Sequence, residues 1–231
     1  MFVISEIFPQ HGGNLDVAEQ MILQSKMGGA SAVKVQLYEA NQFGPERAYL
    51  ELNFEGLKRL KAYADRLNIN LFATPFTRER LEWCMNLEMK YLKVPARMHG
   101  ENPSLAEEIL SKQKITFVSI PSDYDVSKIK VQKHAIYLFC IAKYPTLLDE
   151  TRFPDFNKSI YSGFSDHTVG ISAALYASAH GAKYLEKHFT LSYSGQKNTE
   201  KAHLGSMTVD DLVQIKNFSS GFELIQGSNI S

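Results

Sequence analysis

The chain has 231 residues, 44% of them hydrophobic and 22% charged, and its 25 basic and 25 acidic side chains balance to a formal charge of zero. That length supports one sizeable core, and the neutral balance gives no electrostatic reason to expect nucleic acid or an anionic membrane as partner. Cys84 and Cys140 are too far apart for a metal-type pair, Glu6 and Pro9 interrupt the apolar start, and no later run nears the ~18 apolar residues of a membrane span, so a soluble, cytoplasmic protein with two quiet thiols is expected.

Phe2 to Ile7 reads as a short strand, and the Gly-rich turn Gln10 to Asn14 leads into a helix from Leu15 to Met27 closed by Gly28-Gly29. Ala32 to Leu37 is a second strand that carries Lys34 and Gln36 in an otherwise apolar run. A long segment from Tyr38 to Asn53 precedes a helix over Phe54 to Leu67, and Ile69 to Thr74 is the third strand, stopped by Pro75. The pattern then predicts a helix over Thr77 to Glu88, a strand from Lys90 to Pro95, a helix capped at Asn102-Pro103, and a strand from Lys114 to Ser119. A short helix over Tyr124 to Gln132 and a strand from Ala135 to Cys140 follow.

After a short helix over Asp149 to Asn157, weakened by Pro154, the segments around Ile160 to His167 and Tyr184 to His188 are strands seven and eight, joined by a helix over Val169 to His180; Val209 to Phe222 closes the chain. Eight strands alternating with helices, without a composition break, predict a (β/α)8 TIM barrel as a single α/β domain over residues 1–231. An open doubly wound sheet would want a glycine-rich phosphate loop after its first strand, and His11-Gly12-Gly13-Asn14 lacks that spacing.

With the strands placed, polar residues gather at their carboxyl ends: Glu6, then Lys34 and Gln36, Thr74, Lys93 and Ser119. Tyr144 lies just beyond strand six, and Ser165 to His167 and His188 end strands seven and eight. That face of an α/β barrel is where active sites form, so one pocket is expected there. His167 and His188, one helix and one strand apart, could converge on a divalent metal; the plainer alternative is two hydrogen-bonded core histidines. Lysines inside apolar strands need anions, because an unpaired buried ammonium costs several kcal/mol, and a phosphate or carboxylate ligand would satisfy both Lys34 and Lys93. A buried ion pair with Glu6 or Glu186, or a stem reaching solvent, would also serve. Thr74, Ser119 and Ser165 suit the oxygens of an anionic substrate or, singly, local backbone. Ser165, Asp166 and His167 are consecutive and alternate faces, so they form no relay among themselves, and Asp166 reads as a supporting carboxylate.

Together these signposts resemble the catalytic barrel of the sialic acid synthase family, which joins phosphoenolpyruvate to an N-acetylated hexose such as N-acetylmannosamine. Glu6-Ile7 with His11 and Gly13 is similar to the family's opening motif, Val33 to Gln36 to its Val-Lys-x-Gln, Ala73 to Phe76 to its Thr-Pro-Phe, and Tyr91 to Val94 to its Tyr-Lys-Ile with one extra residue. Cys140 with Tyr144-Pro145, Gly163 to Thr168 and Glu186 to Thr190 match its Cys and Tyr-Pro, Gly-x-Ser-Asp-His-Thr and Glu-Lys-His-Phe-Thr. The resemblance implies that His167 and His188 hold manganese or magnesium, which polarises the aldehyde of the open-chain sugar. It implies that Lys34, Lys93, Thr74, Ser119 and Ser165 hold phosphoenolpyruvate, that Gln36 joins the substrate contacts, that Glu6 touches sugar hydroxyls or shuttles a proton, and that Tyr144 flanks the sugar. A homodimer is the implied partner state.

The departures from the family pattern are Ala96 for a serine, Arg97 and Met98 for a glycine and a glutamate, Pro121 for a glycine, Phe139 for a histidine, Ala142 for an asparagine, and Ala202 for the aspartate before His203. The antifreeze-like domain that follows the barrel in relatives, and supplies an arginine across a dimer, is expected to be missing here. Each lost polar contact could cost ~1 to 3 kcal/mol if its partner were left unpaired. The expected function is metal-dependent condensation of phosphoenolpyruvate with an N-acetylated hexose or related aldose to a nonulosonic acid. The alternatives are an impaired barrel that binds a sugar or metabolite or serves as an assembly subunit, and a different aldol or isomerase enzyme.

Overall fold

The computed structural model describes residues 1–42, 44–196 and 204–228. Eight strands pair in parallel, each with the next: β1 (Phe2–Glu6), β2 (Ala32–Leu37), β3 (Asn70–Pro75), β4 (Tyr91–Val94), β5 (Ile115–Pro121), β6 (Ala135–Cys140), β7 (Tyr161–Asp166) and β8 (Tyr184–His188). β8 returns to β1, with Glu6 beside His188, and closes the expected barrel. Closure pairs every strand on both sides and leaves no open edge.

The helical layer is α1 (Leu15–Met27), α2 (Phe54–Arg66), α3 (Arg78–Asn86), α4 (Met98–Glu101), α5 (Pro103–Ser111), α6 (Ser172–Ala179) and α7 (Val209–Ser228). Asparagine or threonine side chains start four of these: Asn14, Asn53, Thr77 and Asn102 each accept a backbone N–H from the first turn. Two predicted helices are not formed. The stretch after β5 makes only a 3-10 turn at Val126–Lys128, because Ile129 and Val131 beyond it favour extended chain, and the stretch after β6 makes only Leu148–Glu150, because Pro154 cannot donate to a continuing helix. No helix among the described residues is long and apolar enough to cross a membrane.

Side chains alternate along a strand, and this period of two builds the site from the bottom upward. The amino-terminal end of the barrel is plugged by Phe2, Phe72, Tyr91, Phe117 and Tyr184, with neighbouring ring centres 5.6 to 5.8 Å apart. Two residues further along the same strands stand Ile4, Thr74, Lys93, Ser119 and Glu186, and two beyond Ile4 and Glu186 stand Glu6 and His188. An aromatic floor thus carries a polar layer, and the polar layer faces the carboxyl mouth. Gly163 permits the close approach of β8 to β7, since a Cβ there would fall 2.1 Å from the Tyr184 carbonyl oxygen.

Candidate active site

A cavity of about 450 Å³ opens at the carboxyl ends of the strands. Nine of the ten residues singled out in the sequence fall at its wall, namely Lys34, Gln36, Thr74, Lys93 and Ser119 on β2 to β5, and Tyr144, Ser165, His167 and His188 on the far side. Glu6 lies outside that lining, 1% exposed, as an ion-pair partner of Lys34.

The floor is a network of two lysines and two glutamates. Lys34 Nζ pairs with Glu6 Oε2, lies 3.5 Å from Glu186 Oε1, and donates to Thr74 Oγ1 at 3.2 Å. Lys93 Nζ donates to Ser119 Oγ at 2.7 Å and to the Val94 carbonyl at 3.0 Å, with Glu186 Oε2 at 3.7 Å. The ion pairing held open for these lysines is therefore present, and it is located inside the cavity. Burial works against the Lys34 charge, but Glu186 and Glu6 hold it above its ordinary value; Lys93 is held below its own by burial, only partly offset by Glu186. Burial disfavours the Glu186 charge too, yet the two lysines outweigh it and keep the carboxylate ionised, whereas burial pushes Glu6 up to about 7 despite Lys34. Glu6 thus titrates near neutrality beside Lys34.

Above this floor the two imidazoles stand 6.2 Å apart between ring centres. His167 Nδ1 donates to the Ile141 carbonyl at 2.9 Å and His188 Nδ1 to the Phe8 carbonyl at 2.8 Å. Each ring is thereby set in the tautomer whose Nε2 carries the lone pair, the arrangement that metal-ligating histidines adopt. Burial lowers His167 to about 4, so it is neutral at pH 7. The spacing is within reach of one divalent ion held through both Nε2 atoms at ~2.1 Å bonds. Among the described residues no cluster of three or more His, Cys, Asp or Glu side chains forms. Tyr144 packs against His167 with ring centres 3.9 Å apart and planes tilted by 38°.

Asp166 does not enter the cavity. Its Oδ1 accepts from Thr168 N at 2.8 Å and Thr168 Oγ1 at 2.7 Å, and its Oδ2 pairs with Lys187 at 2.8 Å, both side chains fully buried. Lys187 also donates to the Thr168 carbonyl at 2.7 Å, so the turn that carries His167 is fastened to the strand that carries His188. This is the supporting role expected of Asp166.

The departures separate by position. Ala96 and Ala142 line the cavity and leave apolar wall there, and Arg97 joins them. Phe139 faces the outer layer, packed on Phe153, Tyr161 and Phe164, so the loss of a histidine there costs the cavity no contact. Ala202 and His203 lie outside the described residues. Sequence reasoning passed over Arg47, placed at the cavity by the 3-10 helix Pro45–Leu50, which carries no apolar period to reveal it. It also read Glu186 only as a counter-ion, although Glu186 bridges both lysines and lines the wall.

His11, 1% exposed, accepts the Gly13 N–H on Nδ1 at 3.0 Å, and burial lowers it to about 4. His11 and His167 therefore contribute stability that is complete above their unfolded value of 6.5 and is lost as pH falls through about 4. Glu6 opposes them, since a carboxyl raised from 4.5 to about 7 loses stability as pH rises through that window. Two histidines against one carboxylate give a net loss on the acid side. Thermal melts from about pH 7 to about pH 4 are expected to show a falling Tm, and His11→Gln is expected to flatten the fall; an unchanged slope would remove His11 as its source.

A family model described as the NeuB family matches residues 44–230. An uncharacterized protein of Methanocaldococcus jannaschii is 29% identical over 82% of the chain, which spans 62% of that relative's length. The N,N'-diacetyllegionaminic acid synthase of Legionella pneumophila is 25% identical over 98% of the chain and 73% of its own length. Among solved structures, the N-acetylneuraminic acid synthetase of Leptospira borgpetersenii, in complex with citrate, superposes with a TM-score of 0.87 at 26% identity, covering 98% of this chain and 85% of that one.

Proposed function

The chain belongs to the NeuB family, and from that premise we propose that its cavity condenses phosphoenolpyruvate with an open-chain aldose of the N-acetylated hexose type, giving a nonulosonic acid and inorganic phosphate. The observation that carries the reading is the stacking of two carbonyl-anchored imidazoles over two buried lysines at one barrel mouth. Lys34 and Lys93, with the hydroxyls of Thr74, Ser119 and Ser165, bind the carboxylate and phosphate of phosphoenolpyruvate. An anion arriving there takes over part of what Glu186 now does for both ammonium groups, so it meets charge already desolvated and fixed in place.

His167 and His188 would hold manganese or magnesium, which when bound supplies Lewis acidity at the aldehyde oxygen. Their Nδ1 anchors hold both rings in place for that group, and Tyr144 packs against His167. C3 of phosphoenolpyruvate then forms the new carbon–carbon bond to the aldehyde carbon, water adds at C2, and phosphate leaves with cleavage of the C2–oxygen bond. Glu6, outside the cavity lining, acts through Lys34, whose ammonium it pairs with and holds beside the bound anion, and the proton released by the added water leaves with the phosphate.

Purified protein incubated with manganese, phosphoenolpyruvate and a panel of N-acetylated hexoses is expected to release phosphate, and silence across the panel at high enzyme concentration overturns the reading. Lys93→Ala is expected to weaken phosphoenolpyruvate binding by about tenfold or more in calorimetry while manganese affinity holds. A second reading, a barrel that binds a sugar or metabolite without turnover, is favoured by the apolar wall at Ala96 and Ala142. Tight sugar binding with no phosphate release would select it.

A further inference from the structure

Each of the two cavity histidines is held by a backbone carbonyl, and the two carbonyls are themselves held in different ways. Ile141, which carries the His167 anchor, belongs to the loop after β6. There Thr146 Oγ1 donates to the Lys143 carbonyl at 2.8 Å and Thr146 N to the His167 carbonyl at 3.0 Å, so that anchor is fastened within its own rim. Phe8, which carries the His188 anchor, follows β1, and its N–H donates to Glu6 Oε1 at 2.8 Å. The other oxygen of the same carboxylate, Oε2, pairs with Lys34. One buried glutamate therefore reaches both the lysine floor and the residue on which His188 rests.

The connection is short and stiff. Glu6 and His188 are register partners on the two strands that close the barrel, and Phe189 N donates to the Glu6 carbonyl at 2.8 Å, so the sheet fixes the frame on which both side chains stand. Phe8 is tied at both ends, its N–H to Glu6 and its carbonyl to His188 Nδ1 at 2.8 Å, while its ring lies edge-on to Tyr38 with centres 5.2 Å apart. Without the carboxylate the Phe8 N–H loses its acceptor, and a backbone donor in such a place turns toward another. Any such turn swings the carbonyl that anchors His188, which then lengthens that hydrogen bond or rotates the ring with it.

We infer that Glu6 is the positioning residue of His188: through the N–H and carbonyl of Phe8, its Oε1 sets the ring that would hold the metal, while its Oε2 sets Lys34 for the anion. That His188 ligates a metal rests on the function proposed above; that Glu6 sets the ring rests on the two hydrogen bonds of Phe8. A group in this role has no need to face the substrate, and Phe8 lines the cavity whereas Glu6 lies outside the lining. Metal-ligating histidines respond to the group that accepts their second ring N–H, and a change there costs about tenfold to a hundredfold in metal affinity. Here that group is a backbone carbonyl, so the side chain that holds its residue in place is the one a substitution can reach.

The test is a manganese titration followed by electron paramagnetic resonance on the wild-type protein, Glu6→Gln and Glu6→Leu, each variant checked for native circular dichroism. Glutamine keeps an oxygen that accepts the Phe8 N–H and gives up the charge facing Lys34; leucine gives up both. Glu6→Leu is expected to lower manganese affinity about tenfold and Glu6→Gln to hold it within about threefold, although both lose the Lys34 ion pair and both are expected to melt lower. A merely structural role would not split the two variants in this way. Equal losses overturn the inference in favour of the carboxylate's charge, and unchanged affinity in Glu6→Leu overturns it outright. Should Glu6→Leu fail to fold, the wild-type protein carries the test, because a contact that favours metal binding is favoured by the metal in turn. Saturating magnesium is then expected to slow hydrogen exchange at the Phe8 amide about tenfold relative to the amides of α2, and the absence of selective slowing overturns the inference. Wild-type protein that takes up no metal brings down the metal reading and this inference with it, whereas equal uptake by wild type and Glu6→Leu brings down this inference alone.

Discussion

Lys187→Met is expected to remove about 3 to 5 kcal/mol of folding stability. Lys187 and Asp166 are adjacent in the β7–β8 register and their side chains have no exposure, so methionine would fill the lysine stem and leave the Asp166 carboxylate in a medium that cannot hydrate it. The cost is that of stranding one charge and exceeds what the pair contributes against an apolar replacement of both. The effect also reaches the site. Lys187 ties down the Thr168 carbonyl, Asp166 ties down Thr168 N–H and hydroxyl, and His167 lies between them. Urea unfolding followed by circular dichroism measures the first effect and manganese titration the second. A stability loss under about 1 kcal/mol would show that the pair is hydrated or dispensable.

Much of the barrel was legible because its two periods are cleanly separated. Phe2, Ile4 and Glu6, or Tyr184, Glu186 and His188, run from aromatic or aliphatic to charged at intervals of two, and that gradient points each strand toward the mouth without any knowledge of its neighbours. The pairing of His167 with His188 followed from strand order alone. Two connections misled, since helical spacing over Tyr124 to Gln132 and Asp149 to Asn157 was too short to outweigh β-branched residues in one and Pro154 in the other. What the sequence withheld was charge partnership. Glu6, Lys34, Lys93 and Glu186 come from four strands, and only barrel closure decides that Glu186 serves both lysines while Glu6 serves one. Arg47 was hidden for a related reason, because its place depends on Gly13 and Tyr38 packing against an irregular segment. The toll expected from the departures shrinks accordingly: Phe139 never faced the cavity, while Ala96 and Ala142 did.

His188→Ala is expected to abolish manganese binding, a fall in affinity of about a hundredfold or more, while leaving the fold in place. Among the described residues His167 and His188 are the imidazoles that line this cavity, and removing one leaves a single such nitrogen donor there. Tyr144 cannot take over. It is near both rings, at 3.9 and 6.4 Å, but burial pushes its phenol well above its ordinary value, with Cys140 and Glu186 adding to the effect, and a protonated phenol is a poor ligand. Losing the hydrogen bond from Nδ1 to the Phe8 carbonyl costs about 1 kcal/mol. Electron paramagnetic resonance of added manganese reads the bound fraction directly, whether or not the enzyme turns over. The lysines supply a contrast within the same cavity, because Lys93→Ala changes anion affinity and should leave the manganese signal intact. Unchanged manganese affinity in His188→Ala would mean that the two rings are a hydrogen-bonded pair in a polar core, and the aldehyde would then have to be activated by the ammonium groups beneath it.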